Sequence, residues 1–198
     1  MELEKAEKYI FQKLKKELPK HLYYHSIGHV EDVLNAAINL AKLEKINEND
    51  FQLLKIAVLL HDSGFTITVK NHEKSGCQIA KEILPQFDFT QNQIKKICGM
   101  IMATKIPQTP HNQLEEIICD ADLDYLGRND YATISQLLYM EININKTLDY
   151  IGWLKLQIDF LEKHHYFNAT TIKMRTKKKA KTLEKLKKEL LKLETKIS

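Results

Sequence analysis

Five consecutive apolar residues, Ile56-Ala57-Val58-Leu59-Leu60, run directly into His61-Asp62. With Phe51, Leu53 and Leu54 before them, and Asn47 to Asp50 as caps, they predict a helix over Phe51–Asp62. A helix that is apolar on every side is buried at the centre of a domain. Other helices must then surround it, and an imidazole and a carboxylate end up at its buried end. Both are costly there unless satisfied. A bound cation satisfies both at once, and a nitrogen–oxygen donor set suits zinc, manganese, iron or nickel. The competing reading, an Asp capping the next turn beside a packed His, strains against the aliphatic run. Gly64 reads as the C-terminal stop of this helix.

The rest of the chain repeats the helical period. Leu3, Ala6, Ile10, Leu14 and Leu18 precede Pro19, and Ser26 is placed to cap a helix carrying Val30, Val33, Leu34, Ala37, Ile38 and Ala41. Further helices are predicted over Glu73–Leu84, Gln91–Met102, Gln113–Leu126, Tyr131–Ile144 and Leu148–His164, and from Thr170 to about Lys196. Gly and Pro number only six and four in 198 residues, which disfavours a turn-rich sandwich or barrel. The expectation is an all-α fold: a helical domain over residues 1–169 and a basic C-terminal helix over 170–198. That helix carries a seam of Leu183, Leu186, Leu190, Leu193 and Ile197, able to dock on the body or to pair with a second chain.

Two more segments carry chemistry. In Tyr24-His25-Ser26-Ile27-Gly28-His29 the histidines are four apart, which on a helix is one face, with Asp32 a turn beyond. A surface pair is the plain alternative. In Cys119-Asp120-Ala121-Asp122-Leu123-Asp124 three acids alternate inside an apolar stretch, so at least one carboxylate faces the interior. On one continuous helix Asp120 and Asp124 share a face and Asp122 points elsewhere. A calcium loop is excluded by the missing Gly and Glu at their required positions. A zinc-protease helix is excluded because His72-Glu73 is followed by Gly76 where the second His belongs. His72 is read either as a helix-start residue or as a group near the site.

A His, a His-Asp pair closing an apolar helix, and a distant Asp after Ala121 together resemble the HD-domain superfamily of metal-dependent phosphohydrolases, over roughly residues 20–170. The stretch Tyr24 to Val33 is similar to the cyclic-nucleotide phosphodiesterase branch and to small standalone bacterial HD hydrolases. Asp120 to Arg128 is similar to the latter. The resemblance implies an HD-type helical bundle in which His29, His61, Asp62 and Asp122 hold a divalent metal ion, with Asp120 as the fallback ligand. The ion is Mn, Mg, Fe, Ni, Co or Zn. It also implies His25 as general acid, with His72 beside the metal or substrate. Lys105 and Arg128, flanking the acidic segment, are candidates to hold phosphate. The implied reaction is hydrolysis of a phosphate ester or anhydride by metal-activated water, with a nucleotide as the leading expectation. Binuclear relatives carry further histidines where this chain has Thr104-Lys105, which favours one metal. The Glu-Asp pair of guanosine tetraphosphate hydrolases is missing after Ser63-Gly64-Phe65.

Charge narrows the partners. Residues 170–198 hold eleven Lys and Arg against three Glu, a net +8 within a whole-chain +4, so the other 169 residues net −4. An acidic body disfavours nucleic acid as the partner and leaves a small-molecule phosphate. No run reaches the ~20 apolar residues of a bilayer span, and the first residues are not a signal peptide. Three widely spaced cysteines fit free thiols in the cytoplasm. A homo-oligomer stays open. The alternative function is a non-catalytic sensor that keeps the helical shell and binds a nucleotide or other ligand.

Overall fold

The structure, a computed structural model, describes residues 1–197, with side chains through Thr195. Among the described residues there is no strand; the chain forms nine α-helices and three 3-10 turns. Tertiary contacts divide it into two units, one of Met1–Leu123 and one from Asp124 onward.

The first unit contains α1 (Leu3–Glu17), α2 (Ile27–Leu43), α3 (Glu48–Leu60), α4 (His72–Ile83), α5 (Gln91–Ala103) and α6 (Gln113–Asp122). Helix α3 is the central one and touches the other five. Leu53, Leu54 and all of Ile56 to Leu60 are buried, against Ile10, Leu14, Val33, Leu40, Ile97, Ile101 and Ile117. Each buried Leu, Ile or Val among them contributes about 1.5–3 kcal/mol. Side-chain caps start three helices of this unit: Asn47 accepts from the Asp50 N–H, Asn112 from the Glu115 N–H, and Thr90 and Gln93 form a reciprocal capping box.

Three local expectations are corrected. Helix α4 ends at Ile83, and Pro85 lies inside a 3-10 turn, Leu84–Phe87. Helix α6 ends at Asp122 instead of Leu126, and a new 3-10 turn, Asp124–Gly127, follows. Asp120 and Asp124 therefore do not share one helical face. Gly64 is not a left-handed stop: no glycine has positive φ, and Gly64 sits within the 3-10 turn Ser63–Thr66. Its requirement is space, because a Cβ there would lie 1.8 Å from the His72 carbonyl oxygen and 2.9 Å from the Gly76 nitrogen. A Cβ at Gly76 would in turn lie 2.9 Å from the Leu60 carbonyl oxygen. Two glycines thus let the end of α3 and the start of α4 meet backbone to backbone.

The second unit contains α7 (Tyr131–Ile142), α8 (Tyr150–Lys163) and α9 (Ala169–Ile197). Helix α9 packs on α8 and on the 3-10 turn Asp124–Gly127. Arg175 donates to both oxygens of the buried Asp124, at 2.6 and 3.0 Å. Of the seam residues Leu186 is buried and Leu183, Leu190 and Leu193 are half-buried, while the Ile197 side chain lies outside the described residues.

Candidate metal centre

His61 is the C-cap of α3, and its place at the end of the apolar run Ile56 to Leu60 leaves it 1% exposed. Its Nδ1 lies 2.7 Å from the Val58 carbonyl oxygen, so Nδ1–H donates there and the neutral ring keeps its lone pair on Nε2. Around that Nε2 stand Asp62 Oδ2 at 3.1 Å, His29 Nε2 at 3.4 Å and Asp122 Oδ1 at 3.7 Å. His29 Nε2 is in turn 3.1 Å from Asp122 Oδ1 and 3.5 Å from Asp62 Oδ2. His29 comes from the first turn of α2, Asp62 from the residue after His61, and Asp122 from the last residue of α6. The ligand atoms of His29, His61 and Asp122 all lie within 4.8 Å of one another.

The donors of His29, His61 and Asp122 fit a divalent cation, and Asp62 Oδ2 lies beside both imidazoles. Metal–ligand distances of about 2.0–2.2 Å place neighbouring ligand atoms roughly 3.0–3.5 Å apart, close to the spacings found. Moreover, Asp62 Oδ2 is buried and has no hydrogen-bond partner among the described residues. A buried carboxylate oxygen facing two imidazole nitrogens is a donor that a cation would satisfy.

The electrostatics agree. Burial works against the His61 imidazolium, but the Asp62 and Asp122 carboxylates outweigh it and hold its pKa well above the ordinary value. Burial works against both carboxylates too, yet His61 holds Asp62 well below the carboxylate range, and His29 and His61 hold Asp122 at about 2. In metal-free protein His61 keeps its proton to higher pH than a free imidazole, and a cation must displace that proton from the cluster. Mn²⁺ uptake near neutral pH is therefore expected to release about one proton, with affinity rising with pH until His61 has deprotonated. Calorimetry in buffers of different ionisation enthalpy measures this, and uptake with no proton released would remove His61 from the ligand set.

Among the remaining candidates, His72 opens α4 after Asn71, which turns the chain in the left-handed region (φ 55). Its Nε2 lies 3.4 Å from Asp62 Oδ1 and 3.7 Å from Glu73 Oε1, so Asp62 faces His61 with one oxygen and His72 with the other. His25 precedes the N-cap Ser26, so the helical-face reason for pairing it with His29 does not hold. The two rings still meet edge to face at 6.0 Å. Asp120 is fully buried but stands outside the group of metal-competent donors that Asp122 joins. Thr104 donates its hydroxyl to the Ile101 carbonyl of its own helix. Exposed Lys105 donates to Asn71 Oδ1 at 3.3 Å, tying residues 104–112 to residues 64–72. Arg128 belongs to the second unit, where its guanidinium grips Asp130 at 2.6 and 3.0 Å with Asp124 at 3.6 Å.

Two residues near the cluster carry no signal in the sequence. Phe65, buried, stacks with His25 at 4.3 Å and with His72 at 4.0 Å, forming a shelf under both rings. A single Phe after a turn reads as core. Gln108, between Pro107 and Pro110, donates to Asp122 Oδ2 at 3.3 Å and to the Cys119 carbonyl at 3.1 Å. In sequence it is one polar loop residue among several.

No protein-family model and no curated protein matches the chain. Among solved structures it is similar to the crystal structure of a predicted HD superfamily hydrolase from an uncultured Thermotogales bacterium. The likeness has a TM-score of 0.63, covers 94% of this chain and 92% of that one, and comes with 21% sequence identity. The all-α fold expected from the helical periodicity is thus an HD-type fold.

Proposed function

We propose that the protein is a metal-dependent phosphohydrolase of the HD superfamily, acting on a phosphate ester or anhydride of a nucleotide or related small molecule. The observation that carries this reading is the convergence of His29 Nε2, His61 Nε2, Asp62 Oδ2 and Asp122 Oδ1, with Asp62 Oδ2 left unpartnered. A divalent cation held there supplies Lewis acidity, making water nucleophilic near neutral pH and neutralising phosphoryl charge.

The chain's own groups supply the rest. The Val58 carbonyl fixes the tautomer of His61. His25, held on the Phe65 shelf, gives a proton to the leaving oxygen. His72 faces the second oxygen of Asp62, and Lys105 presents a cation at the junction of the two neighbouring loops. The three cysteines are all unpaired, as suits a cytoplasmic protein. Among the described residues no helix is long and apolar enough to cross a membrane.

The test is metal analysis of purified protein, followed by a panel of phosphate esters and nucleotides with Mn²⁺, Mg²⁺, Ni²⁺ or Fe²⁺. Bound metal with turnover supports the reading; bound metal without turnover under every condition supports a ligand-binding shell instead. His25→Ala is expected to keep the metal and slow turnover by about 10²–10⁴-fold, the usual contribution of a general acid. Loss of metal from that variant would make His25 a ligand and end its role as acid.

A further inference from the structure

We propose that Gln108 is a positioning residue for the metal centre: its side-chain amide holds Asp122 in the rotamer that turns Oδ1 toward the two imidazoles. The inference rests on the metal reading above. Asp122 is the last residue of α6, and Leu123 already leaves helical geometry (φ −109, ψ 18). A carboxylate at a helix end, even one whose side chain is only 13% exposed, can turn about its own bonds away from a site. The Gln108 amide removes that freedom, with one N–H toward Asp122 Oδ2 and the other toward the Cys119 carbonyl one turn earlier on the same helix.

The loop carrying Gln108 is itself tethered. The Thr109 N–H donates to the Ala103 carbonyl at 3.2 Å, the Lys105 N–H to the Met102 carbonyl at 3.3 Å, and the His111 N–H to Glu115 Oε2 at 2.7 Å. The donor is also neutral. A lysine or arginine in this place would compete with a cation for the Asp122 charge, whereas an amide orients the carboxylate and leaves that charge available.

The other end of the amide separates positioning from packing. Gln108 Oε1 is buried and has no hydrogen-bond partner among the described residues. An unmet buried acceptor is destabilising. The Cys119 carbonyl also accepts from the Leu123 N–H at 3.4 Å, so removing Gln108 does not orphan it. Gln108 thus serves the Asp122 rotamer at some expense to the fold, and an apolar residue in its place should leave the fold as stable or more so.

The experiment compares wild type, Gln108→Leu and Gln108→Met, using Mn²⁺ alone as the probe. Metal-free Tm, the Kd for Mn²⁺ and the visible spectrum of the Co²⁺-loaded protein are measured for each. Expected is an unchanged or higher Tm, an Mn²⁺ Kd weakened about 10–100-fold, and a changed Co²⁺ band intensity from an altered ligand geometry. The Met variant, which keeps the length of the side chain without its donors, serves if Leu disturbs the loop. Wild-type Kd and spectrum in either folded variant overturns the proposal. So does weakened affinity that only parallels a loss of Tm in both. A wild type that takes up neither Mn²⁺ nor Co²⁺ fails the metal reading itself, before any variant is compared.

Discussion

Asp62→Ala protein is expected to leave purification without bound metal and without hydrolytic activity, while keeping its helical circular dichroism. His61→Ala should do the same. Asp62 supplies an anionic oxygen at 3.1 Å from His61 Nε2 and 3.5 Å from His29 Nε2, and it is itself buried. Removing it leaves two imidazoles and one carboxylate. Removal of a direct ligand should exceed the ~10–100-fold loss that follows removal of an outer-shell partner. A second consequence separates ligand loss from unfolding. The Asp62 carboxylate is the first of the groups raising the His61 pKa, so in the metal-free variant that pKa should fall toward its ordinary range or below. Metal analysis and the NMR titration of His61 measure the two effects. Full metal occupancy in Asp62→Ala would overturn the four-ligand reading and leave His29, His61 and Asp122 as the site.

Gly64→Ala is expected to be among the most destabilising single-methyl additions in the chain. The new Cβ would sit 1.8 Å from the His72 carbonyl oxygen and 2.6 Å from its carbonyl carbon. Both are backbone atoms at the start of α4, so relief requires moving the helix or the 3-10 turn. Overpacking a core costs about 1–3 kcal/mol where side chains can yield, and backbone yields less. A loss of roughly 3 kcal/mol or more implies a fall in Tm of about 6–12 °C for a domain of this size. The same movement carries His72 away from Asp62 Oδ1 and Phe65 away from both stacked histidines. Activity should therefore fall in protein that remains folded at low temperature, and a Tm within 2 °C of wild type would rule out the close approach.

The fold was legible where one helix dictated its surroundings. An apolar run ending in His61-Asp62 has a single stable location, and α3 occupies it, touched by the five other helices of its unit. Helix ends were less legible. The expected α6 ran on to Leu126 because Leu123 and Leu126 continue its apolar spacing, but the chain breaks at Leu123 and starts a new turn. Periodicity reports which residues are buried, and a 3-10 turn after a helix buries nearly the same ones. Gly64 shows the same limit: its identity was visible, but the reason for it, contact with the carbonyl of a residue eight positions on, was not.

The residue types needed to hold a cation were present in the sequence by themselves: two histidines, the Asp beside His61, and a choice between Asp120 and Asp122. Their chemistry is local, since a buried imidazole and carboxylate demand compensation whatever surrounds them. Tertiary structure decided what depends on direction. It brought Asp122, and not Asp120, to the imidazoles of His29 and His61, because residues two apart on a helix point to nearly opposite sides. It split the two oxygens of Asp62 between His61 and His72. It also placed Phe65 and Gln108, whose roles lie in contacts 7, 40 and 14 residues away, beyond any local period.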